Sequence, residues 1–223
     1  MRFDKRQLLL YAVTDRAWTG RQTLAEQVEE ALKGGVTMVQ LREKNLSDEE
    51  YVQRVGEIKE LCHRYGVPLI VNDNVEVALK SGADGVHVGM EDTPVSEVRA
   101  RVGAAFIIGA TAKTVEQAKA AEAAGADYLG VGAVFPSPTK KNAIRITKEE
   151  LSEICSAVSI PAVAIGGITE SNIAELAGGG MAGVAVVSAI FGADDIFAAT
   201  GELREKAKSV TEGGALPRFV TGK

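Results

Sequence analysis

One phrase recurs through the chain and constrains its fold more than any other feature. Lys33-Gly34-Gly35-Val36-Thr37 precedes the strand-like run that begins at Met38. Ser81-Gly82-Ala83-Asp84-Gly85 precedes Val86-His87-Val88-Gly89, and Ala124-Gly125-Ala126-Asp127-Tyr128 precedes Leu129-Gly130-Val131-Gly132. Gly179-Gly180-Met181-Ala182-Gly183 precedes Val184-Ala185-Val186-Val187-Ser188. Each reads as a helix ended by glycine, a tight turn and a short apolar strand. Four more apolar runs lie at 8–13, 68–71, 106–110 and 162–165. Helical spacing of apolar residues fills the intervals over 24–33, 48–64 and 114–124. Shorter helices fit 75–81, 95–102, 148–158, 171–176 and 194–207.

Alternation of strand and helix argues for a parallel sheet. About eight such units in 223 residues fit a closed (β/α)₈ TIM barrel. An open doubly wound sheet, the rival, usually carries a glycine fingerprint after its first strand. Thr14-Asp15-Arg16-Ala17-Trp18 has none. No linker interrupts the pattern, so 1–210 reads as one α/β barrel domain and 211–223 as a loosely attached tail.

Hydrophobic residues at 46% and charged residues at 25% describe an ordinary globular protein. A net charge of -5 argues against a broad footprint for nucleic acid or an anionic membrane, so neither is expected as a partner. No apolar run approaches the roughly 20 residues that span a bilayer. The basic start before Leu8 to Val13 superficially resembles a leader, but the run ends at Thr14-Asp15 with no cleavage pattern, and a first strand is the better reading. Cys62 and Cys155 stand far apart in helical segments with no zinc spacing. Reduced thiols and a cytoplasmic location are expected, and a homo-oligomer is left open.

The run Met38-Val39-Gln40-Leu41-Arg42-Glu43-Lys44 reads as a strand with alternating faces. Met38, Gln40, Arg42 and Lys44 then share one face, and Val39, Leu41 and Glu43 the other. If the first face lines an enclosed space, its cations need an anionic partner. The alternative is an edge strand with a solvated polar face.

In a barrel of this kind the working residues stand at the C-terminal ends of the strands. Asp84 and Asp127 precede their strands and read as structural turn residues at the opposite end. Asp73 and Asp92 come after theirs. Two hard carboxylates there can hold Mg²⁺ together with phosphate oxygens and water, or can cap the next helices. After the sixth strand, Pro136-Ser137-Pro138-Thr139-Lys140-Lys141 lies in a long connection over 133–146, either ligand-facing or a solvated turn. The seventh strand ends in Ile165-Gly166-Gly167-Ile168 and the eighth in Val187-Ser188-Ala189. Barrels often bind a phosphate between these two loops, although a glycine pair after a strand is also a plain turn. His87 has the inward parity of Gly85 and Gly89, and reads as a buried histidine bonded to a neighbour rather than a catalytic one. His63 reads as a surface residue late in its helix. No serine or cysteine has a histidine base nearby in sequence, so covalent catalysis is not expected.

Together these motifs resemble the thiamine phosphate synthase family from about Leu9 to Ile190. The resemblance is carried by Leu10-Tyr11-Ala12-Val13-Thr14-Asp15, Gln40-Leu41-Arg42-Glu43-Lys44, Val71-Asn72-Asp73, His87-Val88-Gly89-Met90-Glu91-Asp92, Pro136-Ser137-Pro138-Thr139-Lys140 and Ile165-Gly166-Gly167-Ile168. It implies a transferase that joins an aminopyrimidine methyl diphosphate to a thiazole phosphate, giving thiamine phosphate and pyrophosphate by a Mg²⁺-dependent dissociative substitution. It implies that Gln40, Leu41, Arg42, Glu43, Lys44, Asn72 and Thr111 line the pyrimidine diphosphate site. Asp73 and Asp92 would ligate Mg²⁺, and Arg42, Lys44 and Lys140 would act on the diphosphate. Ser137, Pro138, Thr139, Gly167, Val187 and Ser188 would hold the thiazole phosphate. Thr111 and Ser137 exchange one hydroxyl for another relative to the family pattern, Lys113 replaces a common histidine, and Met181-Ala182 replaces an Ala-Asp pair at the end remote from the site. Three rivals stand beside this reading. A thiazole tautomerase of the same fold would need a histidine where Ala133 stands. A sugar-phosphate isomerase or epimerase would need an acid/base pair. A non-catalytic binder of the same precursors would bind without turnover.

Overall fold

The computed structural model describes residues 3–20, 22–136 and 145–211. Its strands are β1 (Leu10–Val13), β2 (Met38–Leu41), β3 (Leu69–Asn72), β4 (Gly85–Val88), β5 (Ile107–Ala112), β6 (Tyr128–Gly132), β7 (Ala162–Ile165) and β8 (Gly183–Val186). They pair in chain order, all parallel, and β8 returns to β1 to close the barrel. The helices are α1 (Leu24–Gly34), α2 (Asp48–Arg64), α3 (Val75–Ser81), α4 (Val95–Val102), α5 (Val115–Ala123), α6 (Lys148–Ser156), α7 (Ser188–Phe191) and α8 (Ile196–Thr211). Where helical spacing predicts a helix over 171–176, a single 3₁₀ turn, Ile173–Leu176, links β7 to β8.

Local chemistry sets these boundaries. Thr23 with Glu26, Ser47 with Glu50 and Thr147 with Glu150 form reciprocal capping boxes that open α1, α2 and α6. Gly35 and Gly82 end α1 and α3 in the left-handed conformation that glycine tolerates best. The first strand starts at Leu10 rather than Leu8, because Asp4 and Gln7 box a 3₁₀ turn over Lys5–Leu8.

Strand side chains divide between two cores. Val39, Leu41, Val71, Val86, Leu129 and Val184 pack outward against the helices. Tyr11, Val13, Met38, Ile70, Ile107, Tyr128, Val163 and Ala185 fill the lumen. The lumen is therefore packed rather than open, and a ligand has access only at its rim.

The N-terminal floor of the barrel repeats one device on alternate strands. The residue before β4, Asp84, donates its N–H to Leu69 O and accepts Leu69 N on its carboxylate at 2.9 Å. Before β6, Asp127 does the same with Ile108, accepting at 2.7 Å. Before β2, Thr37 does it with Leu10 through its hydroxyl. The recurring phrase of the sequence is thus a strand-start clamp, and Asp84 and Asp127 are structural, as their position before the strands predicts. Ala182 keeps the backbone half, donating to Ala162 O, but has no side-chain acceptor.

Candidate active site at the barrel mouth

The inward positions at the C-terminal ends of the strands are Gln40 on β2, Asn72 on β3, His87 on β4 and Thr111 on β5. Gln40 is nearly buried. Asn72, His87 and Thr111 are half-buried and face the rim. These residues share one wall, as strand parity predicts.

Beyond Leu41 the chain leaves the strand, so the alternation predicted through Lys44 stops there. Ion pairs replace the ladder. Arg42 Nη1 lies 2.9 Å from Asp15 Oδ2, in the loop after β1. The Arg42 N–H donates to Thr14 Oγ1 at 3.0 Å, which ties the β1 and β2 ends together. Lys44 Nζ lies 2.8 Å from Asp73 Oδ2, just past β3. One cation of the second segment, Lys44, therefore meets the acid of the third, while the other, Arg42, pairs with the loop after β1. Two neighbours turn away from this rim. Leu41 is fully buried against the helices, and its carbonyl accepts the Tyr51 hydroxyl at 2.6 Å. The Glu43 carboxylate is 1% exposed and pairs with Arg16 Nε at 2.7 Å. These two are in the motif, but their side chains do not face the Arg42–Lys44 cluster.

Neither aspartate of the candidate metal pair caps a helix. Asn74, not Asp73, caps α3 by accepting Val77 N at 3.0 Å. That leaves Asp73 to Lys44 and to Asn72, whose Nδ2 donates to Asp73 Oδ1 at 2.8 Å. Asp73 also sits at φ 61, a left-handed conformation uncommon outside glycine. Strain of this sort gathers at functional sites. Helix α4 opens at Pro94 with no side-chain cap, while Asp92 Oδ2 accepts Gly89 N at 2.7 Å. A Cβ on Gly89 would come within 2.8 Å of that oxygen, so any larger residue would push the Asp92 carboxylate from this position. Among the described residues no group of three or more His, Cys, Asp or Glu converges on one point.

On the opposite wall the glycine pair after β7 has a packing role. Gly166 and Gly167 have φ 102 and 64. A Cβ on Gly167 would lie 2.2 Å from Pro136 O, and one on Gly166 would lie 2.6 Å from Ala133 Cβ. The start of the connection after β6 is thereby seated directly on this turn, with Val134 N and Phe135 N donating to Ile165 O and Gly166 O. The far end returns to the same place, because Ile146 N donates to Ala133 O at 2.9 Å. Ser137, Pro138, Thr139 and Lys140 lie outside the described residues, as does the tail over 212–223. Val187 and Ser188 come directly after β8, and α7 begins at Ser188, so its first N–H groups have no intrahelical acceptor.

Sequence reasoning missed Asp15 as the partner of Arg42 and Tyr11 as the partner of Gln40. Both lie in the Leu10–Asp15 motif, which was the available signal. A cavity of about 1040 Å³ opens at the floor, between the N-terminal segment and α8. It is remote from the strand ends that carry the ion pairs, and in this fold chemistry belongs to the other end.

A closed parallel barrel with charged side chains gathered at the carboxyl rim places the chain among the (β/α)₈ enzymes. Relatives narrow the class. A family model described as thiamine monophosphate synthase matches residues 10–190. A thiamine-phosphate synthase of Clostridium tetani is 46% identical over 194 residues, covering 87% of this chain and 93% of that one. Thiamine-phosphate synthase 2 of Streptococcus pneumoniae is 45% identical, covering 93% and 99%. The solved thiamine phosphate pyrophosphorylase of Pyrococcus furiosus superposes with a TM-score of 0.85 at 41% identity, covering 92% and 98%. The chain belongs to the thiamine monophosphate synthase family. A solved 3-hexulose-6-phosphate synthase, at 16% identity and a TM-score of 0.63, shares the fold alone.

Proposed function

We propose that this chain condenses an aminopyrimidine methyl diphosphate with a thiazole phosphate to give thiamine phosphate and pyrophosphate. One observation carries the reading: the meeting of Lys44 with Asp73 beside the Arg42–Asp15 pair, above an inward wall of Gln40, Asn72 and Thr111. A largely buried Arg42 and a half-exposed Lys44 within reach of one rim suit a leaving group with several negative charges.

The chemistry asked of the protein is modest. The carbon–oxygen bond at the exocyclic methylene breaks and its electron pair leaves with the diphosphate. The thiazole nitrogen then supplies its lone pair to that carbon. No proton has to be removed, so no general base is needed. Arg42, Lys44 and Lys140 would take up the charge developing on the departing oxygens. Gln40, Asn72 and Thr111 would hold the pyrimidine ring. Gly167, Val187 and Ser188, with Ser137, Pro138 and Thr139, would hold the thiazole phosphate, keeping the two reacting atoms close.

Asp73 and Asp92 would hold Mg²⁺. The donor set fits that ion, which needs only one or two carboxylates when phosphate oxygens and water complete its shell. Asp73 already accepts from Asn72 and Lys44, but a carboxylate offers about four acceptor positions and keeps room for a metal. When bound, Mg²⁺ would neutralise charge on the diphosphate. The test is to mix both substrates with Mg²⁺ and monitor pyrophosphate. Stoichiometric release with formation of thiamine phosphate is expected; no release and no binding of either substrate would overturn the reading.

A further inference from the structure

Five side chains form one hydrogen-bonded path through the barrel lumen. Gln40 Nε2 donates to Tyr11 Oη at 2.7 Å. The Tyr11 and Tyr128 hydroxyls lie 2.8 Å apart. Tyr128 Oη lies 3.2 Å from His87 Nδ1, and His87 Nε2 lies 3.1 Å from Thr111 Oγ1. The path crosses the lumen from β2 through β1, β6 and β4 to β5. Its two ends belong to the wall proposed to hold the pyrimidine, while Tyr11 and Tyr128 are buried.

The lumen is shaped around this path. A Cβ on Gly109 would come within 2.2–2.4 Å of the Tyr128 ring, its hydroxyl and His87 Nδ1. One on Gly130 would come within 3.0 Å of His87 Cε1. Both glycines leave space that the histidine and tyrosine occupy. Burial raises the pKa of both phenols, so each hydroxyl keeps its proton.

With the Gln40 amide nitrogen turned toward Tyr11, that proton count fixes a direction. Tyr11 Oη accepts from Gln40, so its own hydrogen needs an acceptor, and along the path that acceptor is Tyr128. Tyr128 then donates to His87 Nδ1, which makes Nδ1 the accepting nitrogen and Nε2 the protonated one. His87 Nε2–H donates to Thr111 Oγ1, and the Thr111 hydrogen is left to point at the mouth. Run the other way, Tyr11 would accept twice and its buried hydrogen would have no acceptor on the path, which is costly.

We infer that Tyr11, Tyr128 and His87 are positioning residues that set the hydrogen-bonding sense of Gln40 and Thr111. Gln40 spends one N–H on Tyr11, which turns its carbonyl oxygen away from the tyrosine. Thr111 presents a donor. The site is thereby matched to a ring with an amino donor and a ring-nitrogen acceptor, and mismatched to an oxo analogue with the reverse pattern. The inference rests on the pyrimidine site proposed above and supplies its specificity.

The experiment has one arm that needs no substrate. The chain has two histidines, so ring ¹⁵N spectra of the wild type, with His63→Gln for assignment, read the His87 tautomer directly. The Nε2–H form is expected, with the Nδ1 resonance shifting in Tyr128→Phe. A wild-type Nδ1–H form overturns the inference whether or not the enzyme turns over. The second arm compares Tyr11→Phe and Tyr128→Phe with wild type, using the aminopyrimidine diphosphate and its 4-oxo analogue as competitors. Preference for the amino compound should fall about tenfold, and the pyrimidine KM should rise about tenfold. The thiazole KM should stay within about twofold, because that substrate sits off the path. Unchanged preference in both variants, or equal rises in both KM values, overturns the inference. Wild-type enzyme that releases no pyrophosphate defeats the proposed function instead, and leaves the tautomer to decide the path.

Discussion

Asp127 at the floor and Asp73 at the mouth each stand one residue from a strand, yet they are held in opposite ways. Asp127 accepts a strand N–H at 2.7 Å and the Arg99 guanidinium at 2.6 Å. Arg99 in turn donates to the carbonyls of Gly103, Phe106 and Gly125. Apart from the Asp127–Arg99 pair itself, every bond in that cluster goes to backbone. Asp73 instead binds two side chains, Lys44 and Asn72, on a residue in a left-handed conformation. Lys44 is half-exposed and can exchange one anion for another. Stability and chemistry are thus separated along the barrel axis by what the carboxylate is bonded to.

The sharpest way to break this contrast is Asp73→Ala. Pyrophosphate release should fall at least about 10³-fold, roughly 4 kcal/mol of transition-state stabilisation. The melting temperature should fall by no more than about 4 °C, because a surface pair contributes about 0–1 kcal/mol and alanine in the left-handed conformation adds a cost of similar size. A large drop in stability with partial activity would erase the distinction. Asp127→Ala should do the converse. It strands Arg99 and an N–H, and denaturant melts should show a loss of about 2–4 kcal/mol with kcat unchanged in the folded enzyme. A smaller effect is expected from Arg42→Lys, which keeps the charge but loses the planar fork. The KM for the pyrimidine diphosphate should rise about tenfold, read from initial rates. The smallest effect, and a gain, belongs to Ala182→Asp. It supplies the acceptor that Asp84 and Asp127 offer on the equivalent strands, and should add about 1 kcal/mol, or about 2–4 °C in melting temperature. A fall would show that the clamp cannot be completed at β8.

The barrel was legible because its signals are local. Glycine-ended helices, turn residues and apolar runs each occupy a few consecutive positions, and they are enough to locate eight strands. The floor aspartates were legible for the same reason, since they sit inside the recurring phrase. Harder to read was anything that depended on a distant partner. Alternation carried the second strand through Lys44, but pairing with β1 and β3 ends at Leu41, and ion pairs with Asp15 and Asp73 take over. Both metal candidates were as consistent with helix caps, and only the cap at Asn74 and the fold-back of Asp92 on Gly89 remove that alternative. Tyr11 and Tyr128 are 117 positions apart, and no local pattern joins them.

The glycines that hollow the lumen beside His87 carry a consequence for how this barrel can change over generations. The Tyr128 ring, the His87 ring and the missing methyl at Gly109 compete for one volume, so none of the three positions is free to drift alone. An alanine at 109 must be accompanied by a smaller residue at 128 and by a smaller or displaced side chain at 87. The three sites are expected to vary together, on neighbouring strands, beneath a rim whose loops can vary far more independently.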